Sequence, residues 1–217
     1  MKKVLLVAGT FLTLMASAQN EKYVKAMEPK VAALDSTRTF EGLQNLANAF
    51  ERIADAEKTQ WLPYYYAALA NVNSGLFLSV GGKSPGVQQL DPIAEKADAL
   101  LAKAEALSKD NSEIWTVKKM IATLRMMGDP MTRYMQYGPQ AQEALETARK
   151  LNPSNPRVDL LAGQDKFYTP EQYGGSKTEA RKLFEDAMKK FETAKLQSAL
   201  DPAWGKSTTQ YFLSQVK

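Results

Sequence analysis

The sequence predicts an all-α chain built from antiparallel helix pairs, and three observations carry that prediction. Apolar residues recur three and four positions apart, while strand-like alternation is almost missing. Helix-start signals arrive at regular intervals. One spacing of small and large apolar residues returns several times along the chain.

The first element is not part of the fold. Met1, Lys2 and Lys3 give a positive start, Val4 to Met15 is uncharged, and Ala16-Ser17-Ala18 offers small residues before Gln19. This is the plan of a secretory signal peptide over residues 1–18, with cleavage expected after Ala18. The apolar stretch falls well short of the roughly 20 residues that span a bilayer. No cysteine follows it, which excludes a bacterial lipoprotein anchor. Residues 19–217 are therefore expected as one exported domain, periplasmic or secreted, with no stable membrane anchor after cleavage.

Helices are expected near 23–34, 39–57, 60–79, 92–108, 112–127, 139–151, 156–167, 177–197 and 202–215. Asp91-Pro92, Asn155-Pro156 and Asp201-Pro202 each place a capping side chain before a proline suited to the first helical position. Ser176-Lys177-Thr178-Glu179 has the form of a capping box, in which Glu179 reaches back to the Ser176 backbone. Breakers at 80–86, 128–130 and 169–175 separate the helices, and 130–136 has room for a short additional one.

Composition removes whole classes of chemistry. Histidine and cysteine are both absent. That excludes Ser-His-Asp and Cys-His nucleophilic sites, disulfides, and zinc or haem sites held by His or Cys. The net charge is +4 and falls to +2 once Lys2 and Lys3 leave with the signal. Basic and acidic residues alternate, and no Lys/Arg block suits a phosphate backbone, so nucleic acid is not an expected partner.

The repeat is Ala-x3-apolar-x2-Ala. It reads Ala141, Leu145, Ala148, then Pro153 in the following turn, and it returns as Ala97, Leu101, Ala104. It is found again as Ala180, Phe184, Ala187 and as Ala49, Ile53, Ala56. Two small residues seven apart share one helical face and let a partner helix come close, while the larger residue between them fills the gap.

This spacing resembles the second helix of a tetratricopeptide repeat, and Ala141 to Pro153 matches that pattern residue for residue. Gly163 stands where the family has a small residue on its first helix, and Trp115 and Trp204 where it has a large aromatic. Ala97 and Ala141 lie further apart than the family's usual repeat of about 34 residues, and Lys109 replaces one turn proline. The resemblance implies a right-handed solenoid of about four helix pairs. It also implies a ligand groove lined by the first helix of each pair, here by Tyr65, Met120, Arg157, Gln164 and Phe167. Leu160 and Gln164 stand where a clamp for a terminal carboxylate would need Lys or Asn, so no such clamp is expected.

The aromatic run Trp61-Leu62-Pro63-Tyr64-Tyr65-Tyr66 has two readings: a stacking surface for a glycan or peptide through Tyr64 and Tyr65, or a layer between helices. Gly81-Gly82-Lys83-Ser84 lacks the leading glycine and preceding strand of a phosphate-binding loop. The free N–H groups beside Gly174-Gly175-Ser176-Lys177 are expected to be used by the cap. Met127, Met131 and Met135, near Met120 and Met126, are soft thioethers, but Gly128 and Pro130 interrupt them and core packing is the simpler account. Glu95/Asp98 and Glu143/Glu146 read as solvated faces. No metal site, cofactor or catalytic set is expected, and the oligomeric state leaves no signature. The expected function is non-enzymatic: a protein- or peptide-binding scaffold of the cell envelope, or alternatively a periplasmic binder of a small molecule or glycan.

Overall fold

The computed structural model describes residues 21–80 and 85–216. The expected signal peptide and the 81–84 loop motif lie outside the described residues. The chain forms α1 (21–34), α2 (Phe40–Glu57), α3 (Trp61–Leu78), α4 (Val87–Leu107), α5 (Ser112–Met127), α6 (Pro130–Leu151), α7 (Pro156–Tyr168), α8 (Lys177–Thr193) and α9 (Lys206–Gln215). A single 3-10 turn, Glu171–Tyr173, joins α7 to α8. No strand occurs among the described residues. Successive helices pack as neighbours, and α3, α5 and α7 also touch in succession. The class is all-α, with adjacent helices paired as the periodicity predicts.

Three of the four small-residue sets are buried as a helix-packing face requires: Ala97, Leu101, Ala104; Ala141, Leu145, Ala148; and Ala180, Phe184, Ala187. The set in α2 is shifted. Its buried residues are Leu43, Ala47, Phe50 and Ala54, and the Phe50 ring stacks on Tyr66 of α3 at 5.2 Å. Ala49 and Ile53 are only half-buried and Ala56 is exposed; they line a groove beside α1 instead. The α2 helix carries two small-residue faces, one for α3 and one for α1, and spacing alone does not tell them apart.

Helix limits depart from expectation where a proline sits inside a helix. Helix α4 starts at Val87, so Pro92 is internal and Asp91 is not a cap. Pro92 stands in the second turn of α4, where it forgoes the bond to the Gln88 carbonyl. Asp91 instead accepts both guanidinium nitrogens of Arg133, at 2.6 and 2.8 Å. Helix α6 absorbs the short 130–136 helix and runs through Pro139, capped by Asp129. Asn155 caps α7 as expected, accepting from the Arg157 N–H at 3.0 Å.

At the C-terminal end, α8 stops at Thr193 and α9 begins only at Lys206. Asp201 is not an N-cap: its carboxylate accepts from the Gln197 and Ser198 N–H groups, at 2.6 and 3.1 Å, and closes an irregular loop. The capping box is half realised. Ser176 accepts from the Glu179 N–H at 3.2 Å, but the Glu179 carboxylate pairs with Lys166 at 2.7 Å.

Gly163 sets the distance between α7 and α8. A Cβ built there would lie 2.5 Å from the Phe184 ring, which is fully buried. Alanine favours a helix over glycine by about 1 kcal/mol, so the sign of a substitution tests which effect wins. Gly163→Ala is expected to destabilise the fold by about 1–2 kcal/mol through overpacking. Urea denaturation checks this, and a stabilised variant would contradict it.

Candidate functional site

The inner face that runs across α3, α5 and α7 is occupied by the chain itself. Within the loop 194–205 between α8 and α9, Leu200, Pro202 and Trp204 lie over it, and Leu200 is buried. The Tyr66 hydroxyl donates to the Leu200 carbonyl at 2.8 Å, and the Trp204 indole N–H donates to the Tyr65 hydroxyl at 2.8 Å. Tyr65 in turn donates to Glu113 at 3.1 Å. Arg157 completes the network. It pairs with Glu113 at 3.0 Å, donates to the Pro202 carbonyl, and lies 5.2 Å from the centre of the Trp204 ring.

Burial dominates the electrostatics of this network. It pushes the Tyr65 and Tyr66 hydroxyls well above the ordinary phenol value. It also holds Glu113 above the usual carboxylate value, against the pull of Arg157. Both tyrosines stay neutral donors and Arg157 supplies the charge. Nothing here has the open geometry of a general acid or base.

Most of the expected groove is therefore interior. Tyr65, Tyr64, Met120 and Arg157 are buried. Tyr64 packs with Lys103 over its ring at 5.4 Å. The aromatic run is a layer between helices, with Trp61, Tyr65 and Tyr66 meeting edge to face. Gln164 and Phe167 are half-buried near the end of α7. Met131 and Met135 are 91% and 81% exposed while Met120 is buried, so the methionines do not converge. No acidic cluster fit for a metal ion occurs among the described residues.

An open aromatic surface does exist, at the end of α7 against α9. Phe167 and Tyr168 meet the Phe212 ring with centroids 5.3 and 5.7 Å away, and Phe212 stacks on Phe184 at 5.1 Å. Tyr211 meets the Phe212 ring edge to face at 5.4 Å. Tyr168 and Tyr211 remain 69% and 59% exposed. The Tyr168 hydroxyl is held above its ordinary value by burial and then by the nearby Tyr211. Lys177 places its ammonium 5.1 Å from the Phe167 ring centre. Rigid rings beneath, exposed phenols at the edge and an adjacent cation suit a flat, apolar, anionic molecule.

Of these residues the sequence signalled only Phe167. Tyr168 stands next to it and is readable in hindsight. Tyr211 and Phe212 join the cluster only through tertiary packing, and Glu113 carried no signal because it reads as an ordinary first-turn carboxylate.

Fold and surface together define an all-α chain of paired helices with an exposed aromatic face and a covered inner groove. The chain matches no protein-family model and no curated protein. Among solved structures it is similar to the HusA haemophore from Porphyromonas gingivalis, with 34% identity and a TM-score of 0.77. The match covers 90% of this chain and 92% of that one. The chain belongs to the family of that haemophore. Among the described residues no helix is long and apolar enough to cross a membrane.

The Arg157–Glu113 pair generates a pH-dependent prediction. Because Glu113 is raised in the fold, the native state binds its proton more tightly than the unfolded chain does. Its contribution is largest in acid and is lost as pH rises through the raised value. Arg157→Met removes the opposing cation. It is expected to cost about 3–5 kcal/mol at neutral pH, and less in mild acid, where Glu113 takes up a proton. Denaturation at both pH values checks this; a loss independent of pH would contradict it.

Proposed function

We propose that this protein is an exported, non-enzymatic binder of haem or a closely related tetrapyrrole. The observation that carries the reading is 34% identity to a haemophore across nine-tenths of the chain. The positive start, the short apolar stretch and Ala16-Ser17-Ala18 support export. The repeat spacing supports a stack of the tetratricopeptide type. The peptide-scaffold reading has less behind it, because residues 194–205 already fill the inner face.

The face formed by Phe167, Tyr168, Tyr211 and Phe212 is our candidate contact surface. Haem here is cargo, a flat apolar ring with two carboxylate side arms. The rings offer stacking, and Lys177 offers a cation within reach of the same patch. With no histidine or cysteine in the chain, tyrosine and methionine are the remaining side chains known to ligate haem iron. Tyr168 and Tyr211 present phenols at this edge.

Titrating haemin into the protein should shift the haemin absorption band saturably and quench tryptophan fluorescence. The double variant Tyr168→Ala, Tyr211→Ala should weaken binding about tenfold or more, from two lost ring contacts of about 1 kcal/mol each. Its melting temperature should stay close to that of the parent, since both rings are mostly exposed. Absence of any saturable shift would sink the function; full binding by the double variant would sink the site.

A further inference from the structure

A second surface shares no residue with the Tyr168–Tyr211 face. It is a groove of about 440 Å3 between α1 and α2, within the roughly 300–1,000 Å3 typical of small-molecule sites. Ala26 of α1 and Ala49, Ile53 and Ala56 of α2 give it an apolar floor. This is the small-residue set that the sequence assigned to helix packing. Here the small side chains leave space instead of closing it.

The rim is cationic. Lys22, Lys30 and Arg52 line the groove against one carboxylate, Glu57. Lys30 is partly engaged, donating to the Ala26 carbonyl of its own helix at 2.8 Å. Tyr23 also lines the groove. It is only 6% exposed, and its hydroxyl oxygen has no hydrogen-bond partner. That hydroxyl is sealed from solvent, so Tyr23 contributes its ring to the lining and not its hydroxyl.

We propose that the α1–α2 groove binds a carboxylate-headed amphiphile, its apolar chain over Ala26, Ala49, Ile53 and Ala56 and its carboxylate among Lys22, Lys30 and Arg52. Charge complementarity selects the head group, since three cations face one carboxylate. The alanine-lined floor selects a slender apolar body. Haem propionates share this head-group chemistry, so the test separates the two sources.

Dodecanoate below its micelle concentration is the probe, followed by isothermal titration calorimetry on the full mature chain. Saturable binding is expected for dodecanoate, about tenfold weaker binding for dodecanol, and none for dodecyltrimethylammonium. Arg52→Glu should weaken dodecanoate about tenfold or more by reversing a rim charge. Ala56→Trp should abolish it by filling the groove. Both positions are exposed, so unchanged melting temperatures are expected and would show that folding is intact. Equal binding of the cationic surfactant, or dodecanoate binding retained in both variants, would overturn the proposal. So would displacement of haemin by dodecanoate, which would make this groove the haem contact and not a separate site. Haemin binding that persists under saturating dodecanoate supports two sites, and loss of haemin binding alone leaves this one standing.

Discussion

Arg157 carries its charge into the interior, and two separate stretches of chain, α5 and the 194–205 loop, are arranged to receive it. Glu113 of α5 supplies the counter-charge, the Pro202 carbonyl accepts from one guanidinium nitrogen, and Trp204 lies beside the guanidinium plane. Tyr65 of α3 ties Glu113 to Trp204 by accepting from the indole and donating to the carboxylate. A buried ion pair rarely adds much net stability, but breaking one is costly because the surviving charge is stranded. Its effect here is positional. It fixes α3, α5, α7 and the 194–205 loop relative to one another, and so determines which faces of the stack stay open.

The consequence is a helix stack whose usual inner surface is unavailable. Leu200 and Trp204 occupy it, and Gly205 makes the turn that lets them do so. Gly205 has φ of +102°, and an added Cβ would lie 2.9 Å from Leu160. That conformation and that contact both exclude larger residues. The covered inner face leaves the ends and edges of the stack as its open surfaces, among them the α7–α9 aromatic face and the α1–α2 groove.

The repeat was legible in the sequence because helix packing against a neighbour is a local code. Ala97, Leu101 and Ala104 are buried for the reason their spacing suggests. The same code misassigned Ala49, Ile53 and Ala56, since α2 carries small residues on two faces and only the Leu43, Ala47, Phe50, Ala54 face is closely packed. Helix starts were misplaced at Pro92 and Asp201, where another bond outweighed the capping signal: Arg133 captured Asp91 from a distance, and Asp201 turned back to the Gln197 and Ser198 N–H groups. The covered groove left no trace in the sequence. Its bonds join residues 134 and 139 positions apart, and neither partner is unusual in its own helix. Tyr65 and Arg157 were expected to line an open groove, and both are buried beneath a segment whose ends, 194–197 and 202–205, were expected as helix.

The open aromatic face is nevertheless built from the repeat. Gly163, the small residue of α7, admits the Phe184 ring of α8. Phe184 stacks on Phe212 at an interplanar angle of 15°, and Phe212 meets Phe167, Tyr168 and Tyr211 edge to face. Each contact is rigid, because aromatic side chains have few torsions and packed cores resist volume change. A side chain at position 163 would therefore move Phe184, and through it the base on which both exposed tyrosines rest. Packing that holds a cysteine-free chain together and packing that orients the exposed tyrosines are the same contacts, and the close approach of Phe184 accounts for a glycine inside a helix that glycine weakens.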